Sequence, residues 1–145
     1  MFTGIIETIG IVDSISKRGN NLDITIMSSI SKDLKPDKSV SHNGVCLTIT
    51  KSNKISHSVT LVNETLNKSN FLTIKKGSII NLERSLLVTD RMDGHFVQGH
   101  VDDVARCIEI IDNKKSWNFK YYRCYSSTNL SECSRCSGSS GYIAN

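Results

Sequence analysis

The amino-acid sequence predicts an all-β fold, a small antiparallel barrel or sandwich, over the first ninety residues. Runs rich in β-branched residues recur about a dozen residues apart, and polar turn residues separate them. The predicted strands are Thr8–Ile15, Leu22–Met27, Val45–Thr50, Ser58–Val62 and Ser78–Leu82. The turn residues between them are Gly19-Asn20-Asn21, Pro36-Asp37, Ser52-Asn53-Lys54 and Lys76-Gly77. Short strands at this spacing are typical of closed or two-layered antiparallel sheets.

Two segments of the same region are predicted to be helical. Ile30–Leu34 follows Ser28-Ser29, which are favourable N-cap residues, and stops before Pro36. Glu64–Asn70 forms a second short polar helix. Such helices would plug the ends of a barrel.

Composition limits the functions open to the chain. Its 145 residues can hold one well-buried domain, and a net charge of +4 carried by scattered lysines and arginines argues against a nucleic-acid groove. No stretch approaches the ~20 apolar residues of a membrane span, and Glu7 interrupts the apolar start before it could become a signal peptide. We therefore expect a cytoplasmic protein whose five cysteines stay reduced.

An internal repeat is present at a shift of 95 residues, because Thr3–Gly10 aligns with Gln98–Ala105. The alignment pairs Gly4 with Gly99 and Glu7 with Asp102. It predicts that residues 1–93 form a first barrel and that residues 94–120 begin a second one.

The last segment, residues 121–145, has a different character. It contains seven serines and three of the five cysteines, and its apolar periodicity is lost. We expect this tail to be disordered, since it cannot bury enough apolar surface to offset its ordering entropy. Its single C-x-x-C pair lacks a fourth zinc ligand, so we expect no metal site.

The strand after the Asn43-Gly44 turn alternates in character. Small polar residues occupy even positions from Cys46 to Thr50, and apolar residues occupy odd positions from Val45 to Ile49. The polar face could hydrogen-bond the edge of a heterocycle, or it could be an ordinary half-exposed strand face.

Two further residue types could carry chemistry. Cys46 is either a nucleophile, with His42 four residues before it, or a small buried hydrophobic residue. His95 and His100 lie five residues apart, which suits neither a strand-based nor a helical metal site. A histidine beside a glycine, such as His100, suits proton transfer or a ligand hydrogen bond, or is simply exposed.

Five motifs in order resemble the riboflavin synthase alpha-chain family, over residues 1 to about 120. They are Met1–Glu7, Ser41–Ile49, Asn63–Leu66, Asn81–Arg84 and Gly94–Asp102. The resemblance implies two similar six-stranded antiparallel Greek-key barrels with short helices, and a homotrimer joined by a carboxy-terminal helix. It also implies an enzyme without metal or cofactor that converts two molecules of 6,7-dimethyl-8-ribityllumazine into riboflavin and 5-amino-6-ribitylamino-pyrimidinedione.

By position, the resemblance also assigns binding and catalytic residues. The substrate-binding positions it implies are Gly4, Ile5, Ile6, Cys46, Leu47, Thr48, Thr60, Leu61, Val62, Asn63, Glu64, Thr65, Gly99, His100 and Val101. The catalytic candidates are His100 as a proton relay and Cys46, which with Thr48 would hydrogen-bond a bound ring.

The sequence departs from the family pattern after Trp117–Lys120. The second barrel should repeat an Asn/Asp-Gly-x-Ser-Leu-Thr strand and lead into the trimer helix, and residues 121–145 contain neither. We expect a synthase chain truncated in its second barrel, with a tail that resembles translation in another reading frame. The alternatives are a barrel that holds lumazine or flavin without turnover, and a non-functional frameshift product.

Overall fold

The protein divides into two units, Met1–Asp102 and Asp103–Asn145. The structure, a computed structural model, describes residues 1–87, 89–91, 93–123 and 138–141, the last four and residues 122–123 by backbone alone. The first unit runs past the boundary expected at residue 93, so residues 94–102 belong to it in space.

The first unit is a closed six-stranded barrel. Its strands are β1 (Thr8–Arg18), β2 (Asn21–Met27), β3 (Ser39–His42), β4 (Val45–Ser52), β5 (Ser56–Leu61) and β6 (Ile79–Arg84). They follow the order β1-β2-β5-β4-β3-β6, every neighbouring pair is antiparallel, and β6 closes the barrel by pairing with β1. Because β2 lies beside β5 and not beside β3, the connections follow a Greek-key path. The predicted six-stranded antiparallel Greek-key barrel is confirmed.

In the first unit, the predicted elements match the observed ones except for β3, which was not among the predicted strands. This strand is only four residues long and mostly polar. The first predicted helix is a single 3₁₀ turn, Ser31–Asp33. The second is α1 (Asn63–Lys68), followed by a 3₁₀ turn at Asn70–Thr73. No helix in the described residues is long and apolar enough to cross a membrane.

The core lies inside the barrel and is lined by alternate residues of all six strands. The fully buried strand residues include Ile24, Ile26, Ile49, Val59, Leu61, Ile80 and Leu82. The connections between strands add Ile30, Leu34, Leu66 and Phe71 to this cluster. Gly10 faces inward where a Cβ would lie 2.5 Å from Ile26, so a side chain has no room there.

Two buried histidines form a hydrogen-bonded chain inside the barrel. His42 Nδ1 lies 3.0 Å from the Val40 carbonyl oxygen, the two Nε2 atoms of His42 and His57 lie 3.0 Å apart, and His57 Nδ1 lies 2.8 Å from Ser31 Oγ. Because a carbonyl only accepts, one proton arrangement satisfies every group: His42 donates through Nδ1, His57 donates to His42, and Ser31 donates to His57. Both rings are therefore neutral, and the chain joins the 3₁₀ turn to β3 and β5.

Burial disfavours the charged form of both rings. It lowers the pKa of His42 from 6.5 to about 3, with a smaller contribution from His57, and lowers the pKa of His57 from 6.5 to about 4.

The second unit contains the strands β7 (Ala105–Asp112), β8 (Trp117–Arg123) and β9 (Gly138–Gly141) in one antiparallel sheet. Its β7–β8 hairpin repeats the β1–β2 hairpin. β1 carries a register shift between Val12 and Ser14, and β7 carries one between Cys107 and Glu109, both positions 95 residues further along. The shift found in an eight-residue alignment therefore holds for a whole hairpin and its irregularity.

The histidine chain predicts a pH dependence of stability. Below pH 6.5 the two histidines bind protons in the unfolded chain but not in the folded one. Their contribution to the free energy of unfolding is therefore fully present above pH 6.5 and is lost as the pH falls toward 4. We expect the free energy of unfolding, measured with urea, to fall by about 2–4 kcal/mol between pH 7 and pH 5. The double variant His42→Leu, His57→Leu should lose this dependence; an unchanged pH slope in that variant would contradict the assignment.

Candidate functional site

The outer face of β4 carries the polar residues that the alternation predicted. Cys46 is half-buried, and Thr48 and Thr50 are exposed. The Leu47 side chain points the other way and is buried in the core. Leu47 can therefore contact a ligand on the outer face only through its backbone.

Beside this face, β4 and β5 separate. Their register begins at the Ile49–Val59 pair, and no further pair joins the described residues on the Cys46 side of it. On β5, Leu61 is buried, whereas the Thr60 hydroxyl donates to Asp23 Oδ1 at 2.5 Å. Helix α1 follows directly, with Glu64 exposed at its start and Thr65 half-buried. The segment Thr60–Thr65 thus borders an opening in the barrel wall.

Residues 94–102, here called the return segment, come back to this opening. The Cys46 backbone N–H donates to the Gly99 carbonyl at 2.8 Å. Val101 packs against the core, and His100 between them is exposed. Glu64, and more weakly Asp102, raise the pKa of Lys68 at the end of α1. The return segment therefore lies against β4 through Gly99 and against the core through Val101.

Residues 2–7, here called the N-terminal segment, take a different position. Thr3 and Gly4 are held by the Glu83 carboxylate of β6, and Glu7 pairs with Arg84 through Arg84 Nε at 3.0 Å and Nη2 at 2.5 Å. Ile5 and Ile6 between them are exposed. The structure thus brings Cys46 together with Gly99, and holds Thr3 and Gly4 on Glu83 of β6.

The N-terminal and return segments pair with each other at equivalent positions of the repeat. Phe2 and Val97, which correspond at the 95-residue shift, exchange two backbone hydrogen bonds of 2.9 and 3.0 Å. Gly4 lies against the Val97 side chain, and Gly99 against the Phe2 ring. Both glycines have left-handed backbones, with φ of 83° and 78°. The aligned glycines are therefore alike in conformation as well as in sequence.

Three neighbouring residues on the barrel surface, Glu83, Ser41 and Cys46, form a polar row between the two segments. No role was assigned to Ser41 or Glu83 from the sequence. Ser41 pairs with Cys46 on one side and with Glu83 on the other, so the three side chains share one face. Ser41 is buried between the two neighbours, of which Glu83 binds the N-terminal segment and Cys46 binds the return segment. Both residues occur in the motifs Ser41–Ile49 and Asn81–Arg84, but only the pairing of β3 with β6 reveals that they are neighbours.

His42 is not a base for Cys46. Its side chain points into the core, where it bonds His57, whereas Cys46 lies on the opposite face of the sheet. Cys46 and Cys107 are free thiols. No cluster of three or more metal-binding side chains is present in the described residues, and the C-x-x-C pair of the tail lies outside them.

A groove of about 630 Å³ lies on the other side of the N-terminal segment. It is bordered by Ile5, by the loop from Asp33 to Ser39, and by the stretch from Glu83 to Asp93. Its side chains carry both charge signs, and none of Cys46, Thr48 or Thr60–Thr65 belongs to it. The groove is therefore separate from the β4–β5 opening.

Comparison with known proteins identifies similar chains. The profile of the family described as "Lumazine binding domain" matches residues 3–85. The riboflavin synthase of Bacillus subtilis (strain 168) is 40% identical over 123 residues, which cover 84% of this chain and 56% of that protein. The riboflavin synthase of Saccharomyces cerevisiae is 40% identical over 116 residues, covering 74% and 49%. The chain thus spans about half the length of these relatives.

Solved structures with the same fold include two complexes of LumP. The complex with 6,7-dimethyl-8-(1'-D-ribityl)lumazine superposes with a TM-score of 0.77 at 20% identity, covering 86% of this chain and 70% of that one. The complex with riboflavin gives a TM-score of 0.72 at 22% identity, covering 84% and 66%. At these identities the likeness establishes the fold.

Gly99 allows a direct test of how the return segment lies against β4. A Cβ at Gly99 would lie 2.8 Å from Cys46 Cβ and 3.2 Å from the Phe2 ring, whereas one at Gly77, which also has a left-handed backbone, would meet nothing within 4 Å. We expect Gly77→Ala to cost only the backbone strain of about 1–2 kcal/mol, and Gly99→Ala to cost about 1–3 kcal/mol more through overpacking. Urea unfolding of both variants measures this; equal losses would show that Gly99 is not in contact with Cys46.

Proposed function

Because the chain belongs to the lumazine binding domain family, we propose that its first unit binds one ring of 6,7-dimethyl-8-ribityllumazine or riboflavin at the β4–β5 opening. The observation that carries the proposal is the hydrogen bond from Cys46 to Gly99, which places the return segment beside the polar face of β4. Hydroxyl, thiol and backbone groups next to an apolar core suit a planar heterocycle with a polar edge.

We assign roles to the residues around the opening by their chemistry. Thr48 and Cys46 hydrogen-bond the ring edge, and the partly buried Val101 contacts the ring plane. Glu64 and Thr65, at the start of α1, offer acceptors to the hydroxyls of the ribityl chain. Gly4, Ile5 and Ile6 lie over β6, so we do not include them in this binding site.

The full reaction we propose is that of riboflavin synthase, in which two lumazine molecules give riboflavin and a ribitylaminopyrimidinedione. The lumazine 7-methyl protons are acidic because the ring delocalises the resulting carbanion. The protein's task is then to hold two rings face to face, worth on the order of 7–11 kcal/mol, and to move protons. His100, exposed beside the bound Gly99, is the proposed proton relay, which contributes a factor of about 10²–10⁴.

A second candidate function is binding of lumazine or flavin without turnover. It is supported by the architecture of the described residues, which contain one closed barrel and therefore a site for one ring, whereas the dismutation brings two rings together. We propose a cytoplasmic setting for either function, in which Cys46 and Cys107 stay reduced.

Removing the Thr48 hydroxyl tests the binding face. Thr48→Val should weaken riboflavin binding by about 1–3 kcal/mol, because a ligand group loses its partner. Thr50→Val is the matched control: Thr50 lies on the same face, but its hydroxyl is already bonded to the Ser58 carbonyl at 3.0 Å. Riboflavin fluorescence quenching measures both affinities. An unchanged affinity in a folded Thr48→Val variant would exclude this face.

Assaying the 145-residue polypeptide separates the two functions. The described residues contain one closed barrel to hold one lumazine, so for this polypeptide we expect a loss on the order of 7 kcal/mol, or about 10⁵ in rate. The polypeptide should quench riboflavin fluorescence but convert lumazine barely above the uncatalysed reaction. Turnover within tenfold of a two-barrel synthase would contradict this expectation.

A further inference from the structure

Glu83 lies in the motif Asn81–Arg84, which the proposed function leaves without a role. We propose that Glu83 is a positioning residue, which holds the return segment on Cys46 by way of the N-terminal segment. This inference rests on the proposed binding site at the β4–β5 opening.

The Glu83 carboxylate fixes the N-terminal segment with both of its oxygens. Oε1 accepts hydrogen bonds from the Thr3 backbone N–H at 2.5 Å and from the Thr3 hydroxyl at 2.7 Å, and Oε2 accepts one from the Gly4 N–H at 3.2 Å. The Thr3 hydroxyl in turn accepts from the Ile5 N–H at 3.1 Å. A glutamate side chain suits this arrangement, since each of its two carboxyl oxygens accepts from the N-terminal segment.

The N-terminal segment, held by Glu83, is in turn bonded to the return segment. The His95 N–H donates to the Thr3 carbonyl at 2.9 Å, next to the Phe2–Val97 pair. Gly94 is packed so closely on Thr3 that a Cβ would overlap the Thr3 carbonyl. Beyond Val97, the Gly99 carbonyl receives the Cys46 N–H. Glu83 is therefore connected to Cys46 through Thr3, the Phe2–Val97 pair and Gly99.

Glu7 differs from Glu83 in what its carboxylate holds. Its carboxylate bonds Arg84, the neighbour of Glu83, and fixes the far end of the N-terminal segment, where the chain enters β1. The contacts of Glu7 do not involve the return segment. Loss of Glu7 should therefore affect stability without affecting the fit of Gly99 on Cys46.

The rate of Cys46 alkylation measures how closely the return segment packs on Cys46, and the measurement needs no ligand. Cys46 Cβ lies against Gly99, so a loosened return segment exposes the thiol. In the 145-residue chain, Glu83→Ala should speed iodoacetamide labelling of Cys46 about tenfold, because the hydrogen bonds to Thr3 and Gly4 are lost. Glu83→Gln should speed the labelling by a smaller factor. Peptide mass spectrometry compares it with exposed Cys107 in the same sample. The matched control Glu7→Gln should leave the Cys46 rate unchanged.

Riboflavin affinity is the second readout. Glu83→Ala should weaken riboflavin binding about tenfold by the same loosening, and Glu7→Gln should not. If Glu83→Ala does not fold, Thr3→Val, which removes one of the three bonds, should shift both readouts in the same direction by a smaller factor.

The outcomes separate the two proposals. Faster Cys46 labelling in Glu83→Ala, in a chain that binds no riboflavin at all, would support the positioning role and contradict the proposed function. Wild-type riboflavin binding combined with an unchanged labelling rate in Glu83→Ala would overturn the positioning role. So would an equal acceleration in Glu7→Gln, since that result would show a general loss of stability.

Discussion

The pairing of β6 with both β1 and β3 is the interaction on which the rest of the first unit depends. It closes the sheet, so that neither β1 nor β3 is left as an open edge. Ile80 and Leu82 of β6 are fully buried. Burial of each side chain stabilises the fold by about 1.5–3 kcal/mol. The next residue, Glu83, points outward and binds Thr3. One strand thus completes the core and fixes the segment that leads to the candidate site.

Most of the barrel could be predicted from local patterns, because strand alternation has a period of two residues and is visible within a single run. The exception, β3, shows the limit of this approach. His42 is polar in sequence yet buried in the core, where its partner is His57, fifteen residues away. No local pattern indicates that two histidines will satisfy each other. The number of strands and the Greek-key topology were implied by the family resemblance and not by the pattern.

The candidate site was predictable in part for the same reason. Alternation placed Cys46 and Thr48 on one outer face, and the repeat identified Gly4 and Gly99 as equivalents. The structure shows that these glycines lie in different places, Gly99 on Cys46 and Gly4 over β6. Their difference, and the contact of Glu83 with a residue 80 positions earlier, depend on how distant strands pair. These residues all occur in the sequence motifs, but only the tertiary structure shows which of them are in contact.

Binding of riboflavin at the β4–β5 opening is tested most directly by titrating the ¹⁵N-labelled 145-residue chain with riboflavin and following its amide chemical shifts. We expect the largest shifts at Cys46, Thr48 and Gly99–Val101, around the opening between β4 and β5. The loop from Asp33 to Ser39, which borders the separate groove, should not respond. Shifts concentrated in that loop, with Cys46 and Gly99–Val101 unaffected, would show that riboflavin does not bind at the opening.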